Sequence, residues 1–165
     1  LLGQLMAAYE MNRFKDEYQG AVVHNAKHFA KALAEQGLNV QGDPAMGYTE
    51  THQVIVKVGY GAGPEIAEKL EANNVIVNYQ ATPDEEGFTA SGALRMGVSE
   101  MTRFGFGDEA FDELAALMGD LILRGQPIAD KVAALRGRYT DMRYCFSDAE
   151  AEKALDTLAK ATGIG

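Results

Sequence analysis

The chain has 165 residues, of which 47% are hydrophobic and 24% are charged. This length is near the usual size of one domain, and the composition is average for globular proteins, which excludes an intrinsically disordered chain. The formal net charge of −9 gives a surface that repels phosphate backbones, so nucleic acid is not an expected partner. No apolar run reaches the roughly 20 residues that span a bilayer, so no membrane association is expected.

Helical and strand patterns alternate along the chain. Apolar residues recur at helical spacing up to residue 36, where Gly37 supplies a stop, and Pro64 occupies a first-turn position that needs no N–H. Ser147 and Glu150 form a capping-box pattern. In chain order we predict a helix over 1–36, an extended piece at 38–41, a strand at 52–58, a helix at 63–72, a strand at 75–79, an extended piece at 94–96, and helices at about 108–123, 127–138 and 148–161.

This order predicts an α+β fold in which helices cover a small, mainly antiparallel sheet. We expect residues 1–165 to form a single domain, with an N-terminal helix at about 1–36, a sheet region at 38–106 and C-terminal helices at 108–161. The chain starts inside a helical pattern with no initiator Met and no signal-like basic segment. That start predicts a fragment of a longer protein.

Cys145 is the only cysteine, so no intrachain disulfide is possible and a reducing compartment, the cytoplasm, is expected. Its aromatic neighbours, Tyr144 and Phe146, favour packing over nucleophilic chemistry.

Two patterns have a weak potential to bind ligands. His24 and His28 share a helix face at i, i+4 spacing, which can hold zinc when a third ligand converges, but the sequence identifies none. The glycine-rich run at 59–63 precedes a helix and could present N–H groups to a phosphate, although it lacks the Lys-Ser/Thr pair of a P-loop. Partly exposed histidines and a flexible connection are the favoured interpretations.

Arg95 is the most informative residue of the sequence. It lies among apolar neighbours in residues 89–97, after a turn of small residues, so at strand periodicity it projects from a mostly buried segment. A buried guanidinium requires an anionic partner. From the residue pattern alone, this partner is either an internal Asp or Glu, the commoner case, or the carboxylate of a ligand.

Four segments resemble the serine hydroxymethyltransferase family. Residues 91–97, continuing to 101–106, resemble its signature Ser-Gly-[Ile/Leu]-Arg-x-Gly-Thr-Pro…Thr-x-Arg-Gly-Phe. Residues 18–34 resemble its Tyr-Gln-x-x-Val-x-x-Asn-Ala helix, residues 51–56 its Asn-His-[Leu/Met]-x-Leu-Val strand, and residues 71–78 its Asn-Ile-x-Val-Asn strand. The matches follow one another in the family's order over roughly residues 1–123.

The resemblance implies the C-terminal domain of a fold-type I pyridoxal-phosphate enzyme, and it implies that Arg95 binds the α-carboxylate of glycine or serine. The parent would be a homodimeric hydroxymethyltransferase of one-carbon metabolism. Its large domain, missing here, would hold the cofactor and the Schiff-base lysine, so no catalytic or cofactor-binding residue is expected in this chain. The isolated chain should then be inactive and monomeric or weakly associated, with an apolar patch on residues 1–14 where the large domain packs.

The chain departs from the family pattern at several positions. Ala93 or Leu94 is an additional residue before Arg95, Val98-Ser99 replaces Thr-Pro, and the second Arg falls on Phe104.

The resemblance also places Asn78 and Gln80 on the possible folate side of the site. Gln80 stands where the family has a second Asn that helps to hold the folate, and Gln is longer by one methylene. Tetrahydrofolate is therefore a possible cosubstrate. A folate-independent aldolase or transaldolase acting on β-hydroxy amino acids remains an alternative, as does a stand-alone binding module.

Overall fold

A long helix, a small sheet and further helices follow one another along the chain. The computed structural model describes residues 2–84 and 90–163. The helices are α1 (Leu2–Glu35), α2 (Gly63–Glu71), α3 (Ser99–Arg103), α4 (Asp108–Arg124), α5 (Ala129–Gly137) and α6 (Asp148–Thr162), with a 3-10 helix at Pro44–Met46. The strands are β1 (Asn39–Val40), β2 (Gln53–Lys57), β3 (Asn78–Gln80) and β4 (Ala93–Gly97). No helix in these ranges combines the length and the apolar character needed to cross a membrane.

Helix α1 provides one wall of the core. Val22, Ala26, Phe29 and Leu33 lie on one face at helical spacing, and all four are buried. The Phe29 ring packs against Phe111 of α4, with 5.1 Å between the ring centroids. The helix ends where the N–H of Leu38 donates to the carbonyl of Leu33 at 3.2 Å. The predicted first helix is confirmed.

The described strands form one sheet in the order β1-β2-β4-β3, and each neighbouring pair is antiparallel. One face of the sheet is apolar: Val54 lies opposite Met96, Val56 lies opposite Leu94, and all four residues are buried. Since side chains alternate along a strand, Arg95 projects from the other face, which we call the open face. The α+β class is confirmed, with helices packed on the apolar face.

The strand predicted at 75–79 is wrong for residues 75–77, since β3 spans only Asn78–Gln80. The N–H of Val75 donates to the carbonyl of Leu70 at 3.0 Å and so helps to close the end of α2. Asn74 has a left-handed backbone with φ of 67°, which turns the chain before the strand. Val75 is buried as part of that helix end, and pairing begins only where Asn78 meets Arg95.

The helices predicted at 63–72, 108–123, 127–138 and 148–161 are all present within two residues of their expected bounds. The capping box of α6 is confirmed: the Ser147 side chain accepts from the Glu150 N–H, and the Glu150 carboxylate accepts from the Ser147 N–H. Helix α3 was not predicted because its five residues are too few to show a periodic pattern.

The expected apolar patch on residues 1–14 lies beside α6. Leu5 and Tyr9 are exposed there, and an apolar groove of about 530 Å³ separates the two helices. Its rim is polar, with Arg13 paired to Glu150 at 2.5 Å.

Candidate functional site

An open groove of about 460 Å³ lies where β2, β3 and β4 meet on the open face. Its walls include His52, Ile76, Asn78, Arg95 and Gly97. No Asp or Glu of the described residues lines it, although the chain as a whole carries an excess of acidic groups. The groove is therefore a local surface suited to an anion on an acidic protein.

Arg95 lies in the middle of β4, opposite Ile55 of β2 on one side and Asn78 of β3 on the other. Its side chain is half-buried. Among residues 2–84 and 90–163 it has no ion pair and no hydrogen-bond partner. An internal Asp or Glu, the commoner expectation for such an arginine, is thus not found in the described part of the chain.

Asn78 presents hydrogen-bond donors beside Arg95. Its Oδ1 accepts from the backbone N–H of Tyr79 at 2.9 Å, which fixes the amide orientation, and Nδ2 makes no hydrogen bond to a described residue. Gln80 lies two residues further along β3, opposite Ala93, and so shares the open face. Of the three residues named from the sequence, the structure brings Arg95 and Asn78 together in the groove, whereas Gln80 lies on the same face of the sheet but does not line the groove.

The segment before Arg95 is held by backbone hydrogen bonds from two neighbouring elements. The N–H of Gly63, at the start of α2, donates to the carbonyl of Ser91 at 2.8 Å, and the N–H of Val58, just after β2, donates to Gly92 at 2.8 Å. A side chain at Gly63 would overlap the Ser91 carbonyl oxygen, so this close approach requires glycine.

The segment after Arg95 is anchored to α1 by a buried network. Asn25 Nδ2 donates to Thr102 Oγ1 and to the carbonyl of Phe106, both at 2.9 Å, and Thr102 Oγ1 donates to the carbonyl of Val98 at 2.8 Å. The side chains of Asn25 and Thr102 are almost fully buried. These two residues of the family pattern thus hold β4 and α3 in place, a role that their sequence context alone did not reveal.

Two further arginines beside the signature have internal partners. Arg103 pairs with Glu10 of α1. Arg136 of α5 stacks its guanidinium over the ring of Phe104, 4.3 Å from the centroid. Unlike Arg95, these arginines hold elements of the fold together.

Lys57 lies on the open face at the C-terminal end of β2. Its ammonium group forms an ion pair with Asp84. The hydrogen bond from Lys57, assisted by one of 2.7 Å from the Thr82 hydroxyl, lowers the pKa of Asp84 from 3.8 to about 2. Lys57 is therefore already neutralised by the chain itself.

This ion pair predicts a pH dependence of stability. A carboxylate whose pKa is depressed in the folded state stabilises the fold above its unfolded value, about 3.8, and this stabilisation is lost as the pH falls toward about 2. We expect the difference in unfolding free energy between the wild type and Asp84→Asn to be constant above roughly pH 5 and to shrink between about pH 4 and pH 2. Urea titrations at several pH values measure this, and a difference unchanged at pH 2 would contradict it.

His24 and His28 have carboxylate partners on α4. His24 Nε2 lies 2.8 Å from Asp108 Oδ1, and His28 Nε2 lies 2.7 Å from Asp112 Oδ1. Within the described ranges, no group of three or more His, Cys, Asp or Glu side chains is arranged to hold a metal ion. The two histidines link α1 to α4.

The glycine-rich run at 59–63 uses its own amides. The N–H of Ala62 donates to Gly59 at 3.0 Å, the N–H of Gly63 is bonded to Ser91, and Pro64 has no N–H. Few donors therefore remain for a phosphate at this helix start.

No lysine of the described residues lines the Arg95 groove. Cys145 is half-buried, and its thiol donates weakly to the carbonyl of Met142 at 3.4 Å. The groove therefore offers the guanidinium of Arg95 and, among the described residues, no amine that could form a Schiff base with pyridoxal phosphate.

Sequence reasoning did not select His52 and Ile76 as residues of the site. Ile76 is 86% exposed beside Arg95, an unusual position for a large apolar side chain. The signal for His52 was its place in the segment that resembles the family's Asn-His strand.

The structure is a helix-covered antiparallel sheet with a groove around Arg95, which has no partner among the described residues, and comparison with known proteins gives the family. The sequence model described as Serine hydroxymethyltransferase matches residues 4–118. The chain belongs to the serine hydroxymethyltransferase family.

Several curated relatives bear the name serine hydroxymethyltransferase. The protein from Pyrobaculum arsenaticum is 41% identical over 83% of this chain and 32% of its own length. The protein from Korarchaeum cryptofilum is 39% identical over 88% of this chain and 35% of its own length. The chain thus spans about a third of the length of these relatives.

Among solved structures, L-threonine transaldolase from Pseudomonas fluorescens has a similar fold. It superposes with a TM-score of 0.80 and is 27% identical, covering 94% of this chain and 36% of the transaldolase.

Proposed function

We propose that this chain is the C-terminal domain of a pyridoxal-phosphate-dependent enzyme that acts on glycine and serine, and that Arg95 binds the substrate α-carboxylate. The observation that carries the proposal is the unpaired, half-buried guanidinium of Arg95 in a groove without acidic lining residues in the described ranges. Membership of the serine hydroxymethyltransferase family supports the same assignment.

Arg95 would orient the amino acid. A planar guanidinium can donate two parallel hydrogen bonds to one carboxylate, which fixes both the position and the rotation of the ligand. When bound, the cofactor supplies an electron sink for the bond broken at Cα. This carboxylate clamp would therefore select which bond at Cα faces the cofactor.

The rest of the enzyme would come from a large domain that precedes this one. The relatives are about three times as long as the stretch that matches, which supports such a domain. We propose that it holds the cofactor, that the whole enzyme is a cytoplasmic homodimer, and that it serves one-carbon metabolism.

A folate-independent transaldolase is the second candidate. Two observations favour it: the fold similarity to an L-threonine transaldolase, and Gln80 in place of the family's second Asn. Tetrahydrofolate distinguishes the two. If the complete enzyme cleaves serine only when tetrahydrofolate is added, it is the hydroxymethyltransferase, whereas aldehyde exchange on a β-hydroxy amino acid without folate identifies a transaldolase.

A comparison of glycine with glycinamide tests the carboxylate clamp. Glycinamide keeps the amine and the size of glycine but has no negative charge for Arg95 to bind. We expect glycinamide to bind the complete, cofactor-loaded protein at least 30-fold more weakly, since loss of a charge-assisted pair costs about 2 kcal/mol or more. Equilibrium dialysis measures both affinities, and equal affinities would refute the clamp.

The lysines of this chain predict a negative result with the cofactor. Lys57 is neutralised by Asp84, Lys31 lies 3.7 Å from Glu35, and no lysine of the described residues lines the Arg95 groove. We expect pyridoxal phosphate to label the isolated chain weakly and at scattered sites after borohydride reduction. Mass spectrometry of the peptides checks this, and one saturable adduct on a single lysine would contradict it.

A further inference from the structure

His52 lies at the end of the strand pair that carries Arg95. Its carbonyl accepts from the N–H of Val98 at 3.1 Å, which extends the pairing of β2 and β4 by one hydrogen bond. The backbone of His52 is therefore fixed, while its side chain is exposed. The Cα of His52 is thus held in place, and the exposed ring is accessible to a ligand.

Gly97 lies between the His52 ring and Arg95 in the groove, where it has no side chain to separate them. A Cβ built on Gly97 would lie 3.5 Å from His52 Cδ2, so the ring leans over this glycine toward the open face. Gly97 and Arg95 are two residues apart on the same face of β4, a spacing of roughly 6.5–7 Å. Since the arginine side chain is long and flexible, one small amino acid could contact both the guanidinium and the imidazole.

The imidazole is also chemically available. Its nitrogens have no hydrogen-bond or ion-pair partner within residues 2–84 and 90–163, in contrast to His24 and His28, which both contact carboxylates. One ring nitrogen of a neutral histidine donates and the other accepts, which suits a hydroxyl group because a hydroxyl does both.

We propose that His52 is a second ligand-contacting residue of the groove, which hydrogen-bonds a polar group of the amino acid other than the carboxylate on Arg95. In serine or threonine this group is the β-hydroxyl. The inference rests on the proposed function, since it assumes that Arg95 holds the carboxylate. Through this hydrogen bond, His52 would favour the binding of β-hydroxy amino acids over that of their deoxy analogues.

The test compares L-serine with L-alanine, which differ by the hydroxyl alone. In the complete, cofactor-loaded protein, His52→Phe keeps a ring over Gly97 but removes both hydrogen-bonding nitrogens. We expect equilibrium dialysis to give about three- to tenfold weaker binding of serine and unchanged binding of alanine, the usual effect of one neutral hydrogen bond. The matched control His24→Phe, which lies on α1 and does not line the groove, should change neither affinity.

Two more variants separate the possible outcomes. His52→Gln retains a donor and an acceptor, so it should restore much of the preference for serine, which a merely structural role of the ring would not predict. Arg95→Lys should weaken serine and alanine alike. If it does so while His52→Phe leaves the serine-to-alanine ratio intact, the inference about His52 is wrong and the clamp stands. If Arg95→Lys weakens neither ligand, the proposed function itself fails.

Discussion

Replacing Arg95 by lysine should sharply weaken the binding of amino acids to the complete enzyme while the fold remains intact. Lysine keeps the positive charge but loses the planar fork that engages both carboxylate oxygens, and Arg95→Ala loses the charge as well. Truncation of one partner of such a pair costs roughly 2–5 kcal/mol, equivalent to about a 30- to several-thousand-fold loss. Equilibrium affinity for glycine and serine, measured together with the melting temperature, gives the result.

The melting temperature distinguishes a ligand clamp from a structural arginine. Because Arg95 has no partner among the described residues and lies in an open groove, its charge can stay hydrated in the free protein. We expect near-normal melting for Arg95→Lys. The matched control, Arg124→Lys, alters an exposed pair with Asp120 at 2.6 Å and should affect neither quantity. A lowered melting temperature with unaltered affinity for glycine would refute the clamp.

Gly63→Ala should destabilise the chain more than any other substitution of a helical glycine by alanine. The new methyl would overlap the carbonyl oxygen of Ser91 and lie 3.1 Å from Tyr79 Cβ, and backbone atoms cannot move aside as a flexible side chain can. Overpacking of this kind costs about 1–3 kcal/mol, and the displaced Ser91 would also lose its hydrogen bond to the Gly63 N–H. Urea unfolding measures the change.

Gly20→Ala is the matched control for this experiment. Gly20 is exposed in the middle of α1, and apart from its chain neighbours and the local helix backbone no described atom lies within 4 Å of the Cβ position. Alanine there should raise the free energy of unfolding by about 0.5–1 kcal/mol, because it restricts the unfolded chain and suits a helix. If both variants change stability in the same direction and by similar amounts, the close approach of Gly63 to Ser91 is not the cause.

The family and most elements could be predicted from the sequence because their signals are local. The stripe of apolar residues in α1, the capping box of Ser147 and Glu150, and the alternation in β2 each lie within a few turns or residues of chain. The ends of an element depend on tertiary contacts, which no local pattern shows. Val75 looked like a strand residue by its β-branched neighbours, but its N–H closes the end of α2.

The sequence by itself determined the fold class, the order of the elements and Arg95 as the residue to test, since these depend on periodicity and on motif residues that are close together. Only the tertiary structure decided what surrounds Arg95. Asn78 lies opposite Arg95 because of the register of β3 with β4. His52 lines the same groove, with its ring next to Gly97. Strand register and side-chain approach depend on pairing between distant segments, and no local pattern encodes which residues will face each other.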